Sequence, residues 1–258
     1  MVSEARSVLV TGGARGIGAA IAEACVARGD RVVLADIDRV AGEVLAQRLG
    51  DAATFSRCDV TSEEDVAAAV DLAVEQGEVA AVFANAGAVG ATGRIEDHTL
   101  EDYRITADLL LTSVFLTVKH AVRVMRPKRA GAIVCTGSVA SVRGGLGPHV
   151  YTAAKHGVKG LVESVAVDIA RDGLTINAVA PGGAVTSLAA GLMGDRDDLD
   201  TPHQRLAAAS ASGMPTTAAD VADAALFLAA SPRINGACLV VDGGDSVPAT
   251  AGRESYYP

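Results

Sequence analysis

Short β-branched runs alternate along the chain with longer amphipathic stretches. Ser7–Thr11, Arg31–Ala35, Ala53–Arg57, Ala80–Ala84, Ala132–Thr136, Thr175–Val179 and Ala237–Val241 read as strands, and most are continuous apolar runs. A parallel strand covered by helices on both faces has no polar side to show, so strict alternation is not expected of it. Between the strands, helical patterning spans Ile17–Arg28, Val40–Leu49, Glu63–Gln76, Leu100–Met125, Val150–Arg171 and Ala218–Ala229. Repeated βαβ units with right-handed crossovers predict an α/β fold, a doubly wound parallel sheet of seven strands with helices on both faces. No Pro- or Ser-rich linker and no repeat of fixed period divides the chain, so one domain is expected over residues 1–258. Two segments break the rhythm. One is an insertion at residues 187–213 containing Asp195, Asp197, Asp198 and Asp200, read as a solvent-facing lid; the other is a tail at 245–258 ending in Tyr256 and Tyr257.

Composition narrows the function classes. Half of the residues are hydrophobic and 21% are charged, which suits a globular chain. A net charge of −9 disfavours a nucleic-acid or anionic-lipid partner, because both need a positive surface. Cys25, Cys58, Cys135 and Cys238 are widely separated and form no CxxC pair, so neither a metal site nor a disulfide framework is indicated. The N-terminal segment carries no apolar stretch behind a basic start, and no uninterrupted apolar run approaches 18 residues. A cytoplasmic protein without a membrane partner is the expectation.

The first strand runs into Thr11-Gly12-Gly13-Ala14-Arg15-Gly16-Ile17-Gly18, and a helix follows at once. Glycines let a pyrophosphate approach the backbone, and the helix N-terminus offers it unpaired N–H groups. Glycine clusters also serve ordinary turns, so the second strand matters. It ends at Asp36, where a carboxylate can hydrogen-bond the adenosine ribose and repel a 2′-phosphate. Ile37 and Asp38 add no cation, which favours NAD over NADP; Arg15 and Arg39 are the cations that would speak for the phosphate.

Taken together with motifs further on, the chain resembles the short-chain dehydrogenase/reductase family over nearly its whole length. The glycine turn is similar to that family's TGxxxGxG, Asn85-Ala86-Gly87 to its NAG, and Tyr151 with Lys155 to its YxxxK. Ser138 stands at the family's catalytic serine position, Asn177-Ala178-Val179-Ala180-Pro181-Gly182 resembles NxVxPG, and Asp242-Gly243-Gly244 its DGG. The resemblance implies a Rossmann fold and hydride transfer between NAD and a small-molecule secondary alcohol or ketone. Ser138 would hold the substrate oxygen, Tyr151 would be the acid/base, and Lys155 would bond the nicotinamide ribose and, with the oxidised nicotinamide, lower the Tyr151 pKa. Tyr151 and Lys155 are four apart, and so share a helix face.

By the same resemblance, cofactor contacts fall to Gly12, Arg15, Gly16, Ile17 and Gly18 of the turn, and to Asp36 and Ile37 after the second strand. Asp59 and Val60 would border the adenine, and Asn85, Ala86 and Gly87 the crevice floor. Pro181, Gly182, Ala184 and Thr186 would also contact the cofactor, with Thr186 positioning its carboxamide or equally suited to cap a following helix. The substrate side would be walled by Val139, Val142, Leu146, Leu188, Leu192 and Met193, with Arg143 and His149 as candidate polar contacts. A homotetramer is implied. One position departs from the pattern. Leu110 stands where the family carries an asparagine that helps hold a water in a proton relay, and leucine cannot bond a water. Either backbone carbonyls and other waters carry the relay, or the protein binds NAD with little turnover. An NADPH-dependent ketone reductase is the other alternative.

Overall fold

In the computed structural model, the described residues are 6–186, 188–189, 198–210 and 212–247. Seven parallel strands form one sheet: β1 (Arg6–Thr11), β2 (Arg31–Asp36), β3 (Ala53–Arg57), β4 (Glu78–Ala84), β5 (Gly131–Thr136), β6 (Leu174–Pro181) and β9 (Cys238–Val241). Their order is β3-β2-β1-β4-β5-β6-β9. The chain therefore moves outward from β1 in one direction, returns at β4, and moves outward in the other. Between β1 and β4 the crossovers diverge and leave a crevice at the C-terminal strand ends, where ligands of such sheets bind. Thr11 pairs with Ala84 at that point, so the glycine turn and Asn85 leave the sheet side by side.

Helices α1 (Gly16–Ala27), α2 (Arg39–Leu49) and α8 (Ala218–Ala229) cover one face; α3 (Glu63–Gln76), α5 (Ser113–Met125) and α6 (His149–Ile169) cover the other. Successive residues of a strand serve opposite cores. Val8 and Val10 pack with Ile21, Cys25 and Leu226, while Leu9 packs with Val66, Val114 and Val162. This is why these strands read as unbroken apolar runs. Fully buried side chains such as Leu9, Leu34, Ile133 and Ile176 each stabilise the fold by about 2 kcal/mol.

Three features differ from the pattern in the sequence. The stretch read as one helix at Leu100–Met125 is α4 (Leu100–Ala107), a π turn at Asp108–Thr112, and α5. Ser113 N–H reaches back five residues to the Asp108 carbonyl, and Ser113 Oγ donates to the Leu109 carbonyl at 2.6 Å. The extra residue rotates the helix phase and turns Leu110 fully inward. Leu100–Lys128 as a whole is long and apolar enough to cross a membrane, but half of its apolar window is buried within the domain, as in a core helix. Second, among the described residues of the insertion at 187–213 lies a helix, α7 (Asp200–Ala209), before which Asp198 accepts from Asp200 N–H and from Thr201. Third, a two-stranded parallel pair joins β7 (Ala184–Val185) to β8 (Thr216–Thr217). The candidates Leu192, Met193, Asp195, Asp197, Tyr256 and Tyr257 lie outside the described residues.

Candidate active site

Gly12 and Gly16 have φ of +62° and +53°, the left-handed region that side chains resist. A Cβ on Gly12 would lie 2.7 Å from Ala86 Cα, and one on Gly18 would lie 2.0 Å from the Gly12 carbonyl oxygen. The turn is thus drawn tightly against residue 86 and against itself. Arg15 precedes α1 in extended conformation, and its guanidinium, which has only donors, cannot cap the helix, so the first N–H groups of α1 receive no acceptor from the N-cap side chain. These are the conditions under which a pyrophosphate replaces a side chain as acceptor.

Asp36 closes the neighbouring corner. Its Oδ2 accepts from Ala14 N–H at 2.9 Å and its Oδ1 from Asp38 N–H at 2.9 Å, tying the glycine turn to the loop after β2. Ile37 is exposed beside it and Ile17 packs beneath the turn. On the same side of the crevice, after β3, Thr61 donates twice to Asp59 Oδ1, holding that carboxyl below its ordinary range, and Val60 is buried. Asn85 binds in three directions. Its Nδ2 donates to the Thr11 and Gly12 carbonyls at 3.2 and 3.1 Å, and its Oδ1 accepts from Thr136 Oγ1 at 3.0 Å. One amide therefore joins the ends of β1, β4 and β5.

Ser138, Tyr151 and Lys155 converge at the end of β5. Ser138 is buried, accepts from Ala140 N–H at 3.1 Å, and stands close enough to the Tyr151 phenol to lower its pKa. Lys155 Nζ donates to the Thr136 carbonyl at 2.8 Å and lies 5.7 Å from the centroid of the Tyr151 ring. Burial lowers the Lys155 pKa to about 8, with Cys135 opposing. Burial also raises the Tyr151 phenol above its ordinary value, and only Ser138 draws it back. In the protein without a nicotinamide, desolvation of the half-buried ring outweighs the pull of Ser138. Leu110 reaches the same place from below. A Cβ on Gly87 would lie 3.2 Å from Leu110 Cδ2 and 3.9 Å from Lys155 Nζ, so the isobutyl group and the ammonium flank one glycine. Asp108 faces solvent, accepting from Thr112 Oγ1, and does not substitute there.

Comparison with known proteins decides the lineage. A family model described as Enoyl-(Acyl carrier protein) reductase matches residues 12–246. Momilactone A synthase of Oryza sativa subsp. japonica is 42% identical over 244 residues, covering 93% of this chain and 89% of its own. The chain belongs to the short-chain dehydrogenase/reductase family. (+)-Borneol dehydrogenase 2 of Salvia officinalis is 38% identical over 250 residues, covering 93% of this chain and 88% of its own. The crystal structure of levodione reductase superposes with a TM-score of 0.85 at 29% identity, covering 95% of this chain and 98% of that one. As a family member, the chain is an oxidoreductase built to bind a nicotinamide cofactor.

In this dehydrogenase/reductase the loop after β6 completes the crevice wall. Pro181 is buried, Gly182 N–H donates to the Val241 carbonyl at 3.1 Å, and a Cβ on Gly182 would meet Asp242 Cβ at 2.7 Å. Asp242 accepts from Gly244 and Ser246 N–H, each at 2.8 Å. Although its burial raises the pKa, the bonds from Ser246 and Gly244, with Arg143 nearby, leave it below the ordinary value. Arg143 is thus placed towards Asp242. Ala184 lies in β7, and Thr186 Oγ1 accepts from Ala189 N–H at 3.3 Å, the capping role. Its methyl also faces Gly16, 3.6 Å from where a Cβ would stand.

Towards the substrate side, Val139 is buried and Leu146 and Leu188 are 44% exposed. His149 opens α6 and meets His98 edge to face, with ring centroids 6.2 Å apart. His98 was not singled out in the sequence, and no spacing flags it. Neither was Leu206 of α7, which lies over Gly183 at 2.7 Å from its would-be Cβ; the helical pattern of residues 200–209 was its only signal. Asn177, expected within NxVxPG, is fully buried and pairs with Ile234 and Ala237 backbone, away from the crevice.

Proposed function

We propose that the protein transfers a hydride between NAD(H) and a secondary alcohol or ketone, with Tyr151 as acid/base. The observation that carries this reading is the meeting of Ser138, Tyr151 and buried Lys155 at the end of β5, beside a glycine turn whose neighbouring carboxylate is Asp36. The names of the borneol dehydrogenase and levodione reductase relatives support an alcohol or ketone substrate. Asp36, held by two backbone N–H groups, supports NAD, since its charge opposes a 2′-phosphate.

The glycine turn and the α1 N-terminus would hold the pyrophosphate, Asp36 the adenosine ribose, and Lys155 the nicotinamide ribose. When bound and oxidised, the nicotinamide supplies a hydride acceptor and a positive charge. Ser138 Oγ bonds the substrate oxygen and fixes it next to Tyr151. The Tyr151 phenolate takes the alcohol proton, and in the reverse direction the phenol returns it to the carbonyl oxygen. The protein groups leave the phenol above its ordinary value, so the added positive charge is what brings it into range. Exposed apolar side chains on α4, α5, α6 and β9, among them Tyr103, Phe115, Val167 and Leu239, support a homo-oligomer.

A non-catalytic NAD-binding protein is the second reading, favoured by Leu110, which closes the floor beside Lys155 with a dry side chain. Titration with NADH and NADPH by nicotinamide fluorescence, with a panel of secondary alcohols and NAD⁺, separates the two. Tight NADH binding with turnover that Tyr151→Phe abolishes is expected. Turnover surviving in Tyr151→Phe overturns the assignment of Tyr151. NADH binding without turnover across the panel favours the second reading, and preference for NADPH overturns the reading of Asp36.

A further inference from the structure

Arg15 and Arg39, beside the adenosine corner, are engaged by carboxylates, as is Arg57, the strand partner of Asp36, by Asp65 at 3.7 Å. Arg15 Nε lies 3.1 Å from Asp38 Oδ2, and Arg39 Nε lies 2.7 Å from Glu43 Oε1. Arg15 follows Ala14, whose N–H binds Asp36, and Asp38 is bound through its own N–H to the other oxygen of Asp36. The ion pair therefore spans the mouth of the corner where the 2′ position of an adenosine ribose would sit. Asp38 Oδ1 accepts from Ala41 N–H at 3.0 Å and caps α2, which fixes the carboxylate while Oδ2 faces Arg15.

We propose that Asp38 is a specificity-determining residue, holding Arg15 as a neutralised pair so that this cation cannot serve a 2′-phosphate. Discrimination then has two parts. Asp36 repels the phosphate directly, and Asp38 withholds the neighbouring Arg15 guanidinium that would reward it. A guanidinium already facing a carboxylate presents little net field to an approaching dianion, and the same guanidinium released presents a full charge. Both side chains are partly exposed, 49% for Arg15 and 38% for Asp38, so the effect is moderate and sensitive to salt. The proposal rests on the reading of this turn as the dinucleotide site.

The two duties of Asp38 can be separated. Asparagine caps a helix as well as aspartate does but carries no charge, and serine does the same. The test is calorimetric titration of wild type, Asp38→Asn and Asp38→Ser with AMP and with adenosine 2′,5′-bisphosphate, ligands that differ only in the 2′-phosphate. The uncharged variants should bind the bisphosphate about five- to tenfold more tightly at low salt, with AMP unchanged within about twofold. The gain should shrink at high salt and vanish in Asp38→Asn/Arg15→Gln. An equal change for both ligands, a gain that survives without Arg15, or no gain overturns the proposal. Wild type preferring the bisphosphate over AMP would instead overturn the NAD reading, because the Asp38 effect is taken from the ratio of variant to wild type. Binding of neither ligand by wild type would overturn both.

Discussion

Lys155 donates from Nζ to the carbonyl oxygen of Thr136 at 2.8 Å, at a position only 4% exposed. An ammonium sealed between α6 and the end of β5 is costly, and the lowered Lys155 pKa expresses that cost. It also places a cation at one fixed spot at the end of β5, where a ribose hydroxyl can meet it.

The same burial gives a pH signature. Below about pH 8 the folded and unfolded chains both carry the Lys155 ammonium, and the folded chain bears its desolvation. Between about 8 and 10.5 the unfolded chain binds more protons, so this site adds stability as pH rises. Over that window wild type should gain about 3 kcal/mol relative to Lys155→Met. Urea unfolding of both proteins from pH 7 to 10.5 measures it. A constant difference across the range would show that Lys155 titrates normally.

Ser138, proposed above to hold the substrate oxygen, also restrains the Tyr151 phenol. Removing its hydroxyl removes the one protein group that lowers that pKa. Ser138→Ala should therefore shift the rise of alcohol oxidation to higher pH and cut kcat/KM by at least about 100-fold. A full pH–rate profile of variant and wild type reads both effects; a lower rate with an unmoved profile would leave Ser138 in substrate binding alone.

Leu110 is fully buried against Gly87. Leu110→Asn puts an amide into a dry site and should destabilise the fold by about 1–3 kcal/mol. If other groups already carry the proton, turnover per folded molecule should change less than about fivefold. Thermal unfolding and kcat on the same preparation separate the two, and a large rise in kcat would mean that the leucine throttles the native protein.

Gly18→Ala drives a methyl into the Gly12 carbonyl oxygen and should weaken NADH binding at least about tenfold. Gly160→Ala, on an exposed position of α6 with open space around it, should instead stabilise the protein by about 0.5–1 kcal/mol. Fluorescence titration and thermal melts of the pair distinguish a glycine needed for close approach from one that is not.

Much of the architecture was legible because it is written in local periodicity. Apolar runs of strand length and 3.6-residue helical faces depend only on neighbouring residues, so seven strands, their intervening helices and the glycine turn could be placed directly. The candidate residues were also legible as types at fixed spacing, and Tyr151 and Lys155 share a face because four residues make about one helical turn. What the chain alone determined was therefore the order of elements and the identity of the groups delivered to the strand ends.

Tertiary packing decided the rest. The phase shift at Asp108–Thr112, which buries Leu110 beside Gly87, depends on how α4 and α5 meet α6, and no periodicity encodes it. The Tyr151 pKa is set by the surroundings of a half-buried ring, so its upward shift could not be read from a motif. Likewise Asn85 joins Thr11, Gly12 and Thr136, and Arg15 meets Asp38, through contacts between residues 23 to 74 positions apart. Sequence pattern records what each residue prefers locally. Burial, charge pairing and hydrogen-bond closure are properties of groups brought together by the sheet, and only the folded chain fixes them.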